Sequence, residues 1–538
     1  MFNLLERIMI TLQDITYTHP DRDVLFRGLN LIINKKDKIA LIGDNGTGKS
    51  SLLNMMAGNL QPASGSVKMS SIPYYVPQIF GQFNDYSIAK ALQVEGKLKA
   101  LNEILDGRMT TENMVLLNDD WAVEERCKNA LAHWNLEGLD LAQKMGSLSG
   151  GQKTKVFLAG IRIHRPEIVL LDEPSNHLDL WSRKRLYDDL ASATNTLVVV
   201  SHDKTLLKLP ERVFELDKRG ITVYGGNYDF YVAQKKLESE ALKQDLNSRE
   251  KALRKARETE KEVLERQQKL DARGKKKQEK AGLPTIVMHA FKNNAEKSSS
   301  RIKSVHEDKK AVLSQELGQL RAALPDINKM KMDLNNSALH RGKTLVSAKN
   351  INFGYYHQLL WKEPLNFRLN SGERMVIRGA NGSGKTTLIK MILGWLQPSS
   401  GTLNSLSGIK TIYIDQDYSL IDNNLSVYEQ AQAYNSGELQ EHEIKIRLNR
   451  FLFDKAYWNK SCAALSGGEK MRLMLCALTI SNAAPDLIVL DEPTNNLDIQ
   501  NTGILTAAIG DYKGTLLLVS HDELFLKQIN AVHSIELH

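Results

Sequence analysis

The chain has 538 residues, too many to be organised around one hydrophobic core, so several domains are expected. Its 42% hydrophobic and 25% charged content is that of a folded protein and excludes a largely disordered chain. The net charge of +8 is concentrated: residues 232–340 hold 25 Lys and Arg against 16 Asp and Glu, and the rest is nearly neutral. A polyanionic partner is therefore expected at the middle of the chain. No run approaches the roughly 18 consecutive apolar residues of a membrane span, so a membrane role would require a separate subunit. The three cysteines, Cys127, Cys462 and Cys476, have neither metal-ligand nor disulfide spacing, as expected for a reducing compartment.

In chain order, residues 1–10 are too short an apolar run for a secretory signal. Lys38 to Ile42 reads as a buried strand entering the loop Gly43-Asp44-Asn45-Gly46-Thr47-Gly48-Lys49-Ser50. Leu148-Ser149-Gly150-Gly151-Gln152 follows, then the apolar strand 168–171 ending in Asp172-Glu173, and the strand 197–200 ending in Ser201-His202-Asp203. From Val232 to about Lys280 there is no Pro and one Gly, with abundant Lys, Glu, Gln, Ala and Leu, which predicts a long helix. A break falls at Ala281-Gly282-Leu283-Pro284. A second helical run over about 299–324 carries Leu313, Leu317, Leu320 and Leu324 at alternating spacings of four and three, a coiled-coil seam. Two antiparallel helices with an apolar tip near 281–298 are the simplest arrangement.

The first pattern then repeats. Gly379-Ala380-Asn381-Gly382-Ser383-Gly384-Lys385-Thr386 follows the strand at Met375 to Ile377, with Thr387 beside it. Leu465-Ser466-Gly467-Gly468-Glu469, Asp491-Glu492 and Ser520-His521-Asp522 come next in the same order. Glutamate and histidine are 29 residues apart in both copies, which identifies a duplication. Apolar strands alternating with helical patterns predict an α/β fold in each copy, with a mainly parallel sheet covered on both faces. The expected domains are 1–231, 232–340 and 341–538.

Each Gly-x-x-x-x-Gly-Lys-[Ser/Thr] loop after a strand is a Walker A P-loop, whose backbone N–H groups cradle phosphates at a helix N-terminus. Lys49 and Lys385 are expected to reach the β- and γ-phosphates of ATP, and Ser50 and Thr386 to bind Mg2+. Asp172 and Asp491 are placed to hold Mg2+ through its waters, and Glu173 and Glu492 to polarise the attacking water. His202 and His521, at equal spacing, are candidates to contact the γ-phosphate. A plain glycine turn, a helix-capping Asp-Glu pair or a structural histidine would explain any one motif alone, but not the ordered repetition of all of them.

Leu-Ser-Gly-Gly-[Gln/Glu] resembles the signature of ABC ATPases. The resemblance implies two cassettes docked head to tail, so that Ser466, Gly467 and Gly468 complete the site at Lys49, and Ser149, Gly150 and Gly151 the site at Lys385. Gln78 and Gln416 resemble the Q-loop glutamines that sense Mg2+ and the γ-phosphate. Tyr355 stands where an aromatic residue stacks on adenine, and His19 stands there in the first copy, with Tyr17 nearby. Asp179 and Asp498 match the D-loop that crosses the seam.

Two cassettes in one chain without membrane spans resemble the ABC-F class. Glu173-Pro174-Ser175-Asn176-His177-Leu178-Asp179, the lead-in Gly226-Asn227-Tyr228-Asp229-Phe230-Tyr231 and the helical pair support that subclass. It implies a cytoplasmic monomer whose cassettes pair within the chain. It also implies binding to the ribosome (rRNA and P-site tRNA) through the linker, either for antibiotic resistance by ribosome protection or as a housekeeping translation factor. The ATP-binding subunit of a membrane exporter is the remaining alternative. Arg273, Lys275, Lys276, Lys277 and Lys280 suit RNA phosphates, although a solvated helix face would also carry them. Beyond them Leu283, Pro284, Ile286, Val287, Met288 and Phe291 form an uncharged tip. The first copy has 70 residues from Gln78 to Leu148 and the second 49 from Gln416 to Leu465, leaving room for a short helical arm in the first.

Overall fold

The computed structural model describes residues 8–19, 24–217, 219–280, 300, 304, 307–318, 339–355, 358–437, 439–481, 485–495 and 497–538. The chain divides into two compact units, Met1–Phe230 with Lys329–His538, and Tyr231–Asn328.

The first unit contains both cassettes. In one, the sheet runs Tyr74–Val76, Ile168–Asp172, Thr196–Val200, Lys38–Ile42, Arg212–Asp217, Gly220–Tyr224, and only the last pairing is antiparallel. In the other it runs Thr411–Ile414, Leu487–Asp491, Thr515–Val519, Arg374–Gly379, His533–Leu537, all parallel. The central strands Ile168–Asp172, Thr196–Val200, Leu487–Asp491 and Thr515–Val519 are buried throughout. That is why they read as unbroken apolar runs rather than alternating ones: a parallel sheet is covered on both faces. Each cassette adds a three-stranded antiparallel sheet, formed by Ile8–Thr18, Val24–Asn34 and Ser64–Met69, and by Thr344–Asn352, Leu365–Asn370 and Ser400–Ser405. The P-loops leave the C-terminal ends of Lys38–Ile42 and Arg374–Gly379 and enter the helices Lys49–Met56 and Lys385–Ile392. Between Gln78 and Leu148 lie the helices Ile88–Ala91, Glu95–Leu105, Thr111–Leu117 and Val123–Ala132; the matching stretch of the second cassette holds Val427–Ala433 and Glu441–Arg450.

The 53-residue helix Tyr228–Lys280, which belongs to the second unit from Tyr231 onward, begins four residues before Val232, and residues 307–318 of the second unit are helical. Lys310 Nζ meets Glu260 Oε2 at 2.8 Å and Arg249 pairs with Glu316. As one partner number rises the other falls, so the two segments run antiparallel. Leu317 is buried and Leu313 half-buried. Leu320, Leu324, the break at 281–284 and the 281–298 tip lie outside the described residues. No helix among the described residues is long and apolar enough to cross a membrane.

Candidate active site

The cassettes meet along a seam with a cavity at each P-loop. The first, about 420 Å3, is lined by Asn45, Gly46, Gly48, Lys49 and Ser50, by Asp172, Glu173, His202, Gln78 and His19, and by Ser466 of the opposite cassette. The second, about 540 Å3, is lined by Asn381, Gly382, Gly384, Lys385, Thr386 and Thr387, and by Asp491, Glu492, His521, Gln416 and Tyr355. Ser149, Gly150, Gly151, His177, Leu178 and Arg183 of the first cassette close it. Gly43, Asp44 and Thr47 shape the first loop without lining its cavity: Lys49 Nζ donates to the Gly43 and Asp44 carbonyls at 2.7 and 2.9 Å, and Thr47 Oγ1 to Asp44 at 2.9 Å. Gly379, Ala380 and Ser383 do the same in the second. There Lys385 Nζ donates to Gly379 and Ala380 at 2.9 and 3.1 Å, while the Ser383 carbonyl accepts from Trp361 Nε1 at 2.8 Å. Gly467 and Gly468 are not among the residues lining the first cavity.

The two serine-glycine motifs begin helices Gly150–His164 and Gly467–Ile480 as capping boxes. Ser149 Oγ accepts from Gln152 N at 3.3 Å while Gln152 Oε1 accepts from Ser149 N at 2.9 Å, and Ser466 and Glu469 repeat this at 3.3 and 2.8 Å. The Ser and the Gln/Glu are thus required locally, because each satisfies a helix-end donor. Gly151 is required by packing, since a Cβ there would sit 2.5 Å from the His177 carbonyl oxygen and 2.8 Å from Asn381 Nδ2 across the seam.

Glu173 and Glu492 follow the central strands and adopt left-handed φ of 49° and 50°. This conformation costs a β-carbon-bearing residue about 1–2 kcal/mol, and the surrounding sheet imposes it. Their amides donate to Val200 and Val519 carbonyls, both at 2.8 Å. Burial raises the Glu492 carboxyl to about 7; burial and then the charge of Asp172 raise that of Glu173. Burial, with Lys49 and Lys385 adding to it, pulls His202 and His521 down to about 3. Both imidazoles are therefore neutral at pH 7. Their Nε2 atoms lie 3.4 and 3.2 Å from Glu173 and Glu492 Oε1, as close neighbours rather than ion pairs.

Mg2+ is the metal this chemistry calls for, and the donor set fits it. Asp172 is 1% exposed and its Oδ1 has no hydrogen-bond partner, an orphaned buried oxygen that a cation would satisfy. Thr386 Oγ1 donates to Asp491 Oδ2 at 3.2 Å, bringing hydroxyl and carboxylate together. No cluster of three or more His, Cys, Asp or Glu that could hold a metal occurs among the described residues. One carboxylate and one hydroxyl completed by substrate phosphates is how Mg2+ is usually held.

Three features escaped the sequence reading. Tyr75 and Tyr413 donate to Asp172 and Asp491 Oδ2 at 3.3 and 3.2 Å; both stand three residues before Gln78 and Gln416, a repeated spacing that could have revealed them. Asn381 Nδ2 donates to the His177 carbonyl at 2.6 Å, joining the cassettes. Arg183 enters the second cavity from the first cassette.

The sequence model of the ABC transporter family matches residues 26–176 and 363–495, one segment in each cassette. The chain belongs to that family. It is a tandem ABC ATPase of the ABC-F type. It is similar to the Bacillus subtilis uncharacterized ABC transporter ATP-binding protein YfmM, 28% identical over 97% of both chains. It is also similar to ABC transporter F family member 5 of Arabidopsis thaliana, 27% identical over 94% of this chain and 72% of that one. Among solved structures, an archaeal ribosome recycling factor, aABCE1, crystallised with the ribosomal stalk protein aP1, shares the fold. That match has a TM-score of 0.57 and 19% identity, covering 96% of this chain and 86% of that one. An RNase-L inhibitor matches with a TM-score of 0.56 and 18% identity over 96% and 86%.

Proposed function

We propose that this ATPase is a ribosome-binding factor of translation whose cassettes close on two ATP molecules and release when they are hydrolysed. The observation that carries the reading is the helix Tyr228–Lys280 with its antiparallel partner, placed between two cassettes in the most basic part of the chain. Arg273 and Lys276 on it are exposed, as a partner made of RNA phosphates requires. Solved structures of the same fold, an archaeal ribosome recycling factor and a ribosome-bound ABCE1, support it by analogy.

In this reading Lys49 and Lys385 leave their loop carbonyls for the phosphates, and Tyr355 and His19 pack on adenine. Ser50, Asp172 and Gln78 hold Mg2+ in one site, and Thr386, Asp491 and Gln416 in the other. Bound Mg2+ neutralises charge on the terminal phosphates. Glu173 and Glu492 orient water and take its proton, beside the neutral His202 and His521. Ser149 to Gly151 and Ser466 to Gly468 close each site from the opposite cassette. Only a nucleotide long enough to touch both halves holds the seam shut, so hydrolysis weakens the clamp.

The finer proposal is ribosome protection against antibiotics, supported by the apolar sequence Leu283 to Met288 next to the basic run; a housekeeping translation role is the alternative. The Glu173→Gln, Glu492→Gln variant should pellet with 70S ribosomes in ATP and not in ADP. Failure to pellet removes the ribosome reading. Replacing Ile286, Val287 and Met288 by Ser should abolish resistance conferred on a sensitive bacterium while sparing ribosome-free ATP turnover; unchanged resistance contradicts the tip's role.

A further inference from the structure

The two cavities differ by a charge. Arg183 follows the D-loop aspartate Asp179 by four residues, on helix Leu180–Ser192; the same place after Asp498, on helix Ile499–Asp511, is Thr502. Arg183 is a nearly buried cation, 8% exposed. Its Nε donates to the Leu178 carbonyl at 3.1 Å, which anchors the fork, and it lines the second cavity with Glu492 and His521 of the opposite cassette. Arg183 and Thr502 both border a further cavity of the seam that holds Glu173, His202 and His521, but neither lines the cavity at Lys49.

A buried guanidinium carries five donors and no acceptor, so it needs anionic partners in a fixed geometry. Arg183 lines that cavity together with the P-loop of Lys385 and with Glu492. The anion the cavity would receive is the terminal phosphate of the nucleotide. A −4 triphosphate gains more from a cation there than a diphosphate, which does not extend that far. Arg183 therefore favours ATP over ADP.

We propose that Arg183 is a binding residue delivered across the seam to the phosphate end of the Lys385 site alone, making that site the one that discriminates ATP from ADP. The proposal deepens the reading that ATP lies at each P-loop, and rests on it. The two sites are thus built unequal: the Lys385 site locks the seam and the Lys49 site follows.

The full chain tests this with one site isolated at a time, Lys49→Ala leaving the second and Lys385→Ala the first. Titration with a non-hydrolysable ATP analogue and with ADP is the readout. In the Lys49→Ala background, Arg183→Met, which keeps the apolar stem, should weaken the analogue about tenfold, the size of one charge-assisted hydrogen bond, and leave ADP nearly unchanged. Arg183→Lys should recover part of the loss. In the Lys385→Ala background the same substitutions should change nothing. Equal weakening of ADP and analogue would mark Arg183 as structural and overturn the proposal, as would unchanged analogue binding or an effect at the Lys49 site. Absence of nucleotide binding in both lysine variants would overturn the P-loop reading itself and the proposal with it.

Discussion

The side-chain amide of Asn381 donates to the backbone carbonyl of His177 at 2.6 Å, tying the P-loop of the second cassette to the D-loop of the first. His177 has a left-handed φ of 61°. Asn381→Ala removes the donor and should cost about 1 kcal/mol of seam closure, the net worth of one such bond. The expected outcome is roughly fivefold weaker binding of a non-hydrolysable ATP analogue at the Lys385 site. Titration in the Lys49→Ala background measures it, and unchanged affinity would show that the bond is not used in closure.

The repeated tyrosines orient the aspartates proposed to hold Mg2+. Tyr75 is itself held by Asn54 Nδ2 at 3.2 Å. Tyr75→Phe and Tyr413→Phe keep the ring and remove only the donor, leaving Asp172 and Asp491 freer to turn. Each should raise the Mg2+ concentration for half-maximal ATP turnover by about tenfold, the lower end of outer-shell effects on metal sites, with a smaller change in maximal rate. A Mg2+ titration of phosphate release checks this, and a fall in maximal rate at unchanged Mg2+ dependence would contradict it.

The sequence exposed whatever is local and repeated. The P-loops, the aspartate-glutamate strand ends and the serine-glycine helix starts are fixed by backbone conformation within a few residues, so their motifs and the α/β fold were readable. The seam was readable only through resemblance, because contacts such as Asn381 with His177 join residues 204 apart. Arg183 belongs to no motif, and the P-loop whose cavity it lines stands on the opposite cassette, to which helical periodicity is blind. The strained φ of Glu173 and Glu492 leaves no trace in composition either, since both are ordinary non-glycine residues.

The helices between Gln78 and Leu148 carry an acid-sensitive tie. Asp120 accepts from Arg126 at 2.6 Å and from Lys97 at 2.8 Å, linking helices Glu95–Leu105 and Val123–Ala132. The hydrogen bond from Arg126, joined by that from Lys97, holds its carboxyl down at about 2. A folded value below the unfolded one gives stability that is complete above pH ~4 and lost as pH falls toward 2. Asp120→Asn should destabilise by about 1 kcal/mol at pH 7, and the difference from the parent should shrink below pH 3. Urea denaturation at the two pH values checks it; a pH-independent difference would point to packing instead.

The central claim, that each ATP is closed in by the signature of the opposite cassette, is tested most directly by blocking one signature and counting the nucleotide retained. Ser149 lines the cavity of Lys385, so Ser149→Arg should empty that site and leave the Lys49 site filled. In the Glu173→Gln, Glu492→Gln chain, adding Ser149→Arg with Lys385→Ala should retain one ATP per chain, and Ser149→Arg with Lys49→Ala none. The reverse pattern, with ATP kept beside Lys385 and lost beside Lys49, would contradict the account.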